Sequence, residues 1–208
     1  MFNFIIKGGP IMFPIILGSI IGFAIVIERL WTFRQMRLNT FEFVQEIFRD
    51  LKAGKVKSAL ELCNKYIPHP LAIVFKIGIE RSSLPLERLE KILEQAGNNQ
   101  IQKLEKFLGA LVSIISIEPL LGFLGTITGL IRAFMSWEQA GANVTVSVLA
   151  AGIYEAMITT AAGLIIAIPL YLCYHYFINR IKITSNELTN HCIQLLEVLA
   201  EIKEEARK

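Results

Sequence analysis

Residues 10 to 27, PIMFPIILGSIIGFAIVI, run eighteen positions without a charge. At about 1.5 Å per residue such a helix is roughly 27 Å long, close to the ~30 Å hydrocarbon core of a bilayer. Two further stretches are longer. Residues 107 to 135 carry only Glu118 and Arg132 as charges, and residues 144 to 178 carry only Glu155, with His175 beside it. Each reaches roughly 40 Å or more, so each projects beyond the hydrocarbon or tilts within it. More than half of the residues are hydrophobic and the mean hydropathy is positive, which excludes an ordinary water-soluble chain. The expected fold class is an all-α integral membrane protein with three transmembrane helices, the second and third continuing into a cytoplasmic helical domain.

Basic residues set the expected orientation. ERLWTFRQMR follows the first run and puts Arg29, Trp31, Arg34 and Arg37 where an interface should lie. Residues 34 to 106 hold 13 of the 21 Lys and Arg, while the turn SWEQAGANVT holds none. The layout read from this is a short periplasmic N-terminus (1–9), a first span (10–33), a cytoplasmic helical region (34–106), a second span (107–136), a periplasmic turn (137–143), a third span (144–178) and a cytoplasmic C-terminal helix (179–208). A signal peptide is the rival reading of the first run. Only Lys7 precedes it, the positive cluster follows it, and no A-x-A-like site is present, so it reads as a retained anchor.

The region 34–106 also holds 9 Asp and Glu, so its net charge is only +4 (13 − 9). That suits a solvated helical face beside anionic membrane lipids and not a nucleic-acid site. Phe41, Val44, Ile47, Phe48 and Leu51 recur at helical spacing, with Thr40 read as the N-cap and Gly54 as the stop. SALELCNKY predicts a short helix ended by IPHP. The run from Leu86 to Leu108 predicts one helix leading without a break into the second span, and NELTNHCIQLLEVLAEIKEEARK predicts an amphipathic continuation of the third. Cys63, Cys173 and Cys192, with His69, His175 and His191, have neither C-x-x-C nor metal-ligand spacing and read as structural. The glycines of GFLGTITG fall inside a membrane helix, where they speak for close packing and not for a nucleotide.

Small and polar residues form two stripes. On the third span Glu155 shares a face with Ala151, Gly152, Thr159 and Ala162. On the second, Pro119, Gly122, Thr126, Gly129 and Ala133 align. Lipid tails gain nothing from small residues, so these stripes should face protein or a pore, with Glu155 and Thr126 lining one interior. A carboxylate there costs about 2.5–3.5 kcal/mol on insertion scales and needs a proton, a cation from a neighbouring helix, or a polar path. Arg132, within two turns of the span's end, reads as snorkelling to the headgroups.

EPLLGFLGTITGLIRAF followed by LAAGIYEAMITTAAGLIIAIPLYL resembles the paired signature of the ExbB, TolQ and MotA family of proton-motive-force-driven inner-membrane motors. The likeness covers nearly the whole chain, including ERLW after the first span. The size of the chain resembles the three-span members and not the flagellar stators. The resemblance implies a homopentamer whose second and third spans enclose a pore, two copies of a single-span ExbD- or TolR-like partner inside it, and a TonB- or TolA-like protein beyond. By motif, Thr126 and Thr160 match the family's pore threonines and Glu155 its third-span glutamate, with Thr159 a further candidate. It implies a bacterial inner-membrane location, proton flow in place of enzymatic chemistry and no cofactor, with sodium the alternative ion. TonB-dependent outer-membrane import is the first role implied and Tol-Pal envelope maintenance the second. A non-conducting scaffold remains the reading from another class. Glu118 departs from the family pattern. It reads either as an extra carboxylate at the inner mouth of the pore or as the partner of a basic side chain from an adjacent subunit.

Overall fold

The computed structural model describes residues 7–36, 38–140 and 146–205, with side chains described for all of these except 140 and 146–149. The described residues form helices and no strand: α1 (Met12–Gln35), α2 (Thr40–Lys52), α3 (Val56–Lys65), α4 (Pro70–Glu80), α5 (Leu86–Leu104), α6 (Leu108–Ala140) and α7 (Val146–Glu205). The 137–143 turn lies partly outside the described residues. Three apolar segments are long enough to cross a membrane; they fall in α1, in α5–α6 and in α7. The protein is therefore a multi-pass, all-α membrane protein.

The chain divides into two compact units, residues 1–28 with 107–176 and residues 29–106 with 177–208. In the first unit, α6 and α7 meet along glycine and alanine. A Cβ at Gly129 would lie 2.8 Å from the Gly152 carbonyl oxygen, and one at Gly122 would lie 3.0 Å from the Thr160 Cα. The face of α7 so buried carries Gly152, Ala156, Thr159, Gly163 and Ala167. Without a hydrophobic drive between helices in lipid, contact depends on backbones approaching closely, which these residues permit. The α6 stripe contributes Gly122, Gly129 and Ala133 to the seam as expected. The α7 stripe is rotated from the expected one, since Ala151 is exposed and Ala156 packs against Gly129 at the centre of the seam, with Glu155 at its edge. Bulky side chains such as Leu120, Phe123, Met157 and Ile165 lie exposed on the remaining faces.

The second unit is packed by large side chains. Phe43, Ile47, Leu71, Phe75, Leu89 and Leu93 join Leu188, Leu195 and Leu199 of α7 in one buried cluster. Phe75 lies 5.9 Å from Phe43 and 6.0 Å from Phe48, ring centre to ring centre. Helix α2 is capped from Asn39, one residue before the expected Thr40, and ends as expected at Gly54. The Gly54 N–H donates to Leu51 O and the Lys55 N–H to Asp50 O, with Gly54 at φ +72°, the left-handed closure that glycine adopts without steric cost. His69 caps α4: its Nδ1 accepts from the Leu71 N–H at 3.2 Å, and burial pushes the imidazole down to about 4. Cys63 is a free, buried thiol pushed up to about 12 by desolvation.

Two expectations fail here for physical reasons. The helix predicted to run unbroken from Leu86 into the second span is interrupted between Leu104 and Leu108, where Phe107 takes φ +66°. A bulky residue in the left-handed region is a backbone outlier, and no glycine or asparagine announces it in the sequence. Arg29, expected at the interface, is only 3% exposed and donates to the carbonyls of Lys103 and Leu104 at 3.3 and 3.2 Å. It thereby places positive charge on the unpaired carbonyl end of α5. The C-terminal expectation stands, because α7 is a single helix of 60 residues with Pro169 inside it.

Candidate functional site

Polar side chains within the first unit gather along the α6–α7 seam. Thr126 Oγ1 lies 2.5 Å from Thr160 Oγ1 and donates or accepts there; its other acceptors are Ala156 O at 3.1 Å and Gly122 O at 3.4 Å. The Thr160 hydroxyl reaches Gly122 O at 3.0 Å. These contacts exist because Gly122 lets α7 come close enough for a hydroxyl to bridge the helices. Thr126 and Thr160, each named through the motif, are both partly buried and touch across the seam.

Thr159 sits differently. It is fully buried, its Oγ1 donates to Ala156 O at 3.0 Å and to Glu155 O at 3.1 Å, and its Cβ region faces Gly125. Such back-bonding to the preceding turn satisfies the hydroxyl within its own helix. Thr159 is a packing residue of the seam in this geometry.

Glu155 has a partner that the sequence did not single out. Arg132 Nη1 donates to Glu155 Oε1 at 2.5 Å, across the 23 positions that separate them in the chain. The carboxylate side chain is 16% exposed and the guanidinium 49% exposed. Arg132 therefore does not simply snorkel; it neutralises the carboxylate while keeping part of its own surface open. Lys7, Ser136, Tyr154 and Gly152 line the same recess. Gly9, at φ +68°, approaches so closely that any Cβ there would collide with Glu155 Oε1. Thr126 is not recorded as touching Glu155. One turn of α7 or more separates Glu155 from the hydroxyl pair, about 7.5 Å along the axis from position 155 to 160.

Glu118 is the remaining candidate. It is 1% exposed inside a single chain, its carboxylate abuts Gly18 of α1, and its backbone carbonyl faces Gly163 of α7. The carboxylate is thus enclosed between α1, α6 and α7 of one chain.

Comparison with known proteins agrees with the motif. Residues 67–190 match the model of the MotA/TolQ/ExbB proton channel family. A putative biopolymer transport protein ExbB-like 1 from Synechocystis is 29% identical over 84% of this chain and 69% of its own length. The biopolymer transport protein ExbB of Neisseria gonorrhoeae is 34% identical over 51% of the chain and 48% of its own length. The Tol-Pal system protein TolQ of Haemophilus influenzae is 31% identical over 52% and 47%. The chain spans about half the length of the latter two relatives. The matched 67–190 segment contains Glu118, Thr126, Arg132, Glu155, Thr159 and Thr160.

Proposed function

This chain belongs to the MotA/TolQ/ExbB proton channel family, and from that premise we propose that it is the channel-forming subunit of an inner-membrane, proton-driven motor. Protons pass beside Glu155 and the Thr126–Thr160 pair. The subunit assembles as a homopentamer around two copies of an ExbD- or TolR-like single-span partner. A TonB- or TolA-like protein carries the work to the cell envelope, with TonB-dependent import the first role. The N-terminus faces the periplasm, and residues 34–106 and 179–208 lie in the cytoplasm.

The observation that carries this reading is the Thr126–Thr160 hydroxyl contact at 2.5 Å, set in a seam otherwise made of glycine, alanine and the buried Thr159. The two hydroxyls form a continuous polar contact between the two spans. Arg132 supports the reading by pairing with Glu155 at the edge of an open recess. Exposed apolar faces on α6 and α7 fit both lipid and neighbouring subunits. TolQ-like service in envelope maintenance is the second reading, favoured by a match to TolQ of nearly the same extent and identity as the match to ExbB.

The test is proton flux into vesicles that contain the protein together with its co-expressed single-span partner, alongside the native mass of the detergent-extracted complex. Glu155→Gln and Thr126→Ala are expected to assemble at wild-type mass and to lose most gradient-dependent flux. If both variants assemble and conduct normally, the site assignment fails. If the wild-type chain remains a monomer that ignores the partner, the scaffold reading replaces it.

A further inference from the structure

The Glu118 carboxylate is the most deeply buried acidic group among the described residues, at 1% exposure, and its Oε2 has no hydrogen-bond partner. Its surroundings are apolar side chains and backbone: Gly18 and Gly22 of α1 face Glu118, Ile114 and Leu170, and Gly163 of α7 meets the Glu118 carbonyl. A side chain on residue 18 would collide with Oε1, so the absence of a Cβ at Gly18 makes room for the acid. The carboxyl therefore points at α1, whereas Thr126 and Thr160 bridge α6 and α7.

Among the described residues, no charged side chain lies within two turns of Gly18 on α1, of Glu118 on α6 or of Gly163 on α7. On α1 the nearest ionisable residues are Lys7, before the helix, and Glu28, ten positions or about 15 Å beyond Gly18. On α6 it is Arg132, fourteen positions or about 21 Å away and already paired with Glu155. On α7 they are Glu155 and Tyr171, each eight positions or about 12 Å from Gly163. An ionised carboxylate with an unpartnered oxygen in such a place is among the costliest arrangements a membrane helix can hold, while a carboxylic acid removes the charge and needs one acceptor.

We propose that Glu118 is a second proton-binding site of the subunit, separate from Glu155, and that its bound proton is what lets α1 seat against α6. A proton delivered by hydronium from bulk water transfers to the carboxylate: one O–H bond of hydronium breaks, one O–H bond forms on Glu118, water is released, and no net charge is left at the contact. Losing that proton puts a charge against Gly18, and α1 must move outward to let water reach it. The site does not depend on the channel reading and would exist in a scaffold as well.

Infrared spectroscopy of the full-length protein in lipid vesicles, grown with carboxyl-13C glutamate, tests this directly. At neutral pH a protonated-carboxyl C=O band with the glutamate isotope shift is expected, lost in Glu118→Gln and retained in Glu155→Gln. As pH rises, the band should fade while the protection of backbone amides across 12–35, taken with the intrinsic base-catalysed exchange rate divided out, falls several-fold, and the Glu118→Gln protein should show no such fall in protection. Absence of the band in the wild-type protein at neutral pH, or its survival in Glu118→Gln, overturns the proton site. Loss of the band with unchanged protection in α1 overturns the seating role. Should Glu118→Gln fail to insert, Glu118→Asp should keep a protonated band without the glutamate isotope shift; an isotope-shifted band there also overturns the assignment.

Discussion

The membrane-spanning unit and the Phe75-centred unit solve the same problem with opposite materials. Along α6 and α7 the contact is made of Gly122, Gly125, Gly129, Gly152, Ala156 and Gly163, and backbone meets backbone. Around Phe75 it is made of phenylalanine, leucine and isoleucine, and side chain meets side chain. In water, removing a large apolar side chain from solvent stabilises a fold by about 1.5–3 kcal/mol each, so bulk is useful. Between helices in lipid no such gain exists, and van der Waals contact at short range takes its place. The two halves of one chain thus respond to two solvents.

The sharpest way to break that contrast is to put bulk into the seam. Gly129→Leu is expected to abolish stable insertion and assembly, because its first added carbon already lies 2.8 Å from a backbone oxygen that cannot rotate away. Membrane extraction followed by native mass would show it as loss of the assembled species. Taking bulk out of the other unit should do less. Phe75→Ala is expected to cost about 3–5 kcal/mol locally, read as faster amide exchange in peptides covering Phe43–Cys63 and Leu89–Ala96, with the 108–140 peptides unchanged.

The Phe75-centred unit should also be the acid-sensitive one. The His69 imidazole is pushed down to about 4 in the folded chain, against about 6.5 when unfolded. Between those values the unfolded chain binds the extra proton, so stability is complete above about pH 6.5 and falls as pH drops towards 4. The loss reaches about 3 kcal/mol. Protonation also removes the Nδ1 acceptor that caps α4. The protection of the α4 amides, with the intrinsic pH dependence of exchange divided out, should fall at descending pH, and His69→Asn should retain the cap while flattening the dependence. The smallest effects belong to Gly54 and Gly109, the two described glycines at which an added Cβ would meet open space. Gly109→Ala should be neutral or stabilising by up to about 1 kcal/mol through helix propensity, whereas Gly54→Ala should cost about 1 kcal/mol because of its left-handed backbone. Thermal unfolding of the two variants side by side separates space from conformation.

Much of the architecture was written in the pattern of charges and apolar runs. The three spans, the amphipathic α2 and α5, the Gly54 stop and the continuous α7 all follow from periodicity and from where charges cease. What escaped was phase and partnership. On α7, residues 150–152, 156 and 159–163 are all small or polar, so composition leaves the buried face undetermined by about a hundred degrees, and the seam took Ala156 where the reading had put Glu155. The Arg132–Glu155 pair joins two helices across a turn, and helical spacing within either helix says nothing about it. The break at Phe107 carries no turn residue to mark it. Thr126 and Thr160 were named through the motif resemblance and not through spacing: Thr126 lies on the small-residue stripe of the second span, and nothing in the helical pattern of either span pairs it with Thr160.

The hydroxyl pair can be counted proton by proton. Thr126 and Thr160 bring one hydrogen each, and three acceptors are within reach: the oxygen of the other threonine, Ala156 O and Gly122 O. If the short contact holds a proton, it comes from one side only. Either Thr126 donates to Thr160, which donates to Gly122 O, or Thr160 donates to Thr126, which donates to Ala156 O. Both chains use both hydrogens, and they run in opposite directions between the two helices. Turning two O–H bonds reverses the polarity of the seam without displacing a single heavy atom.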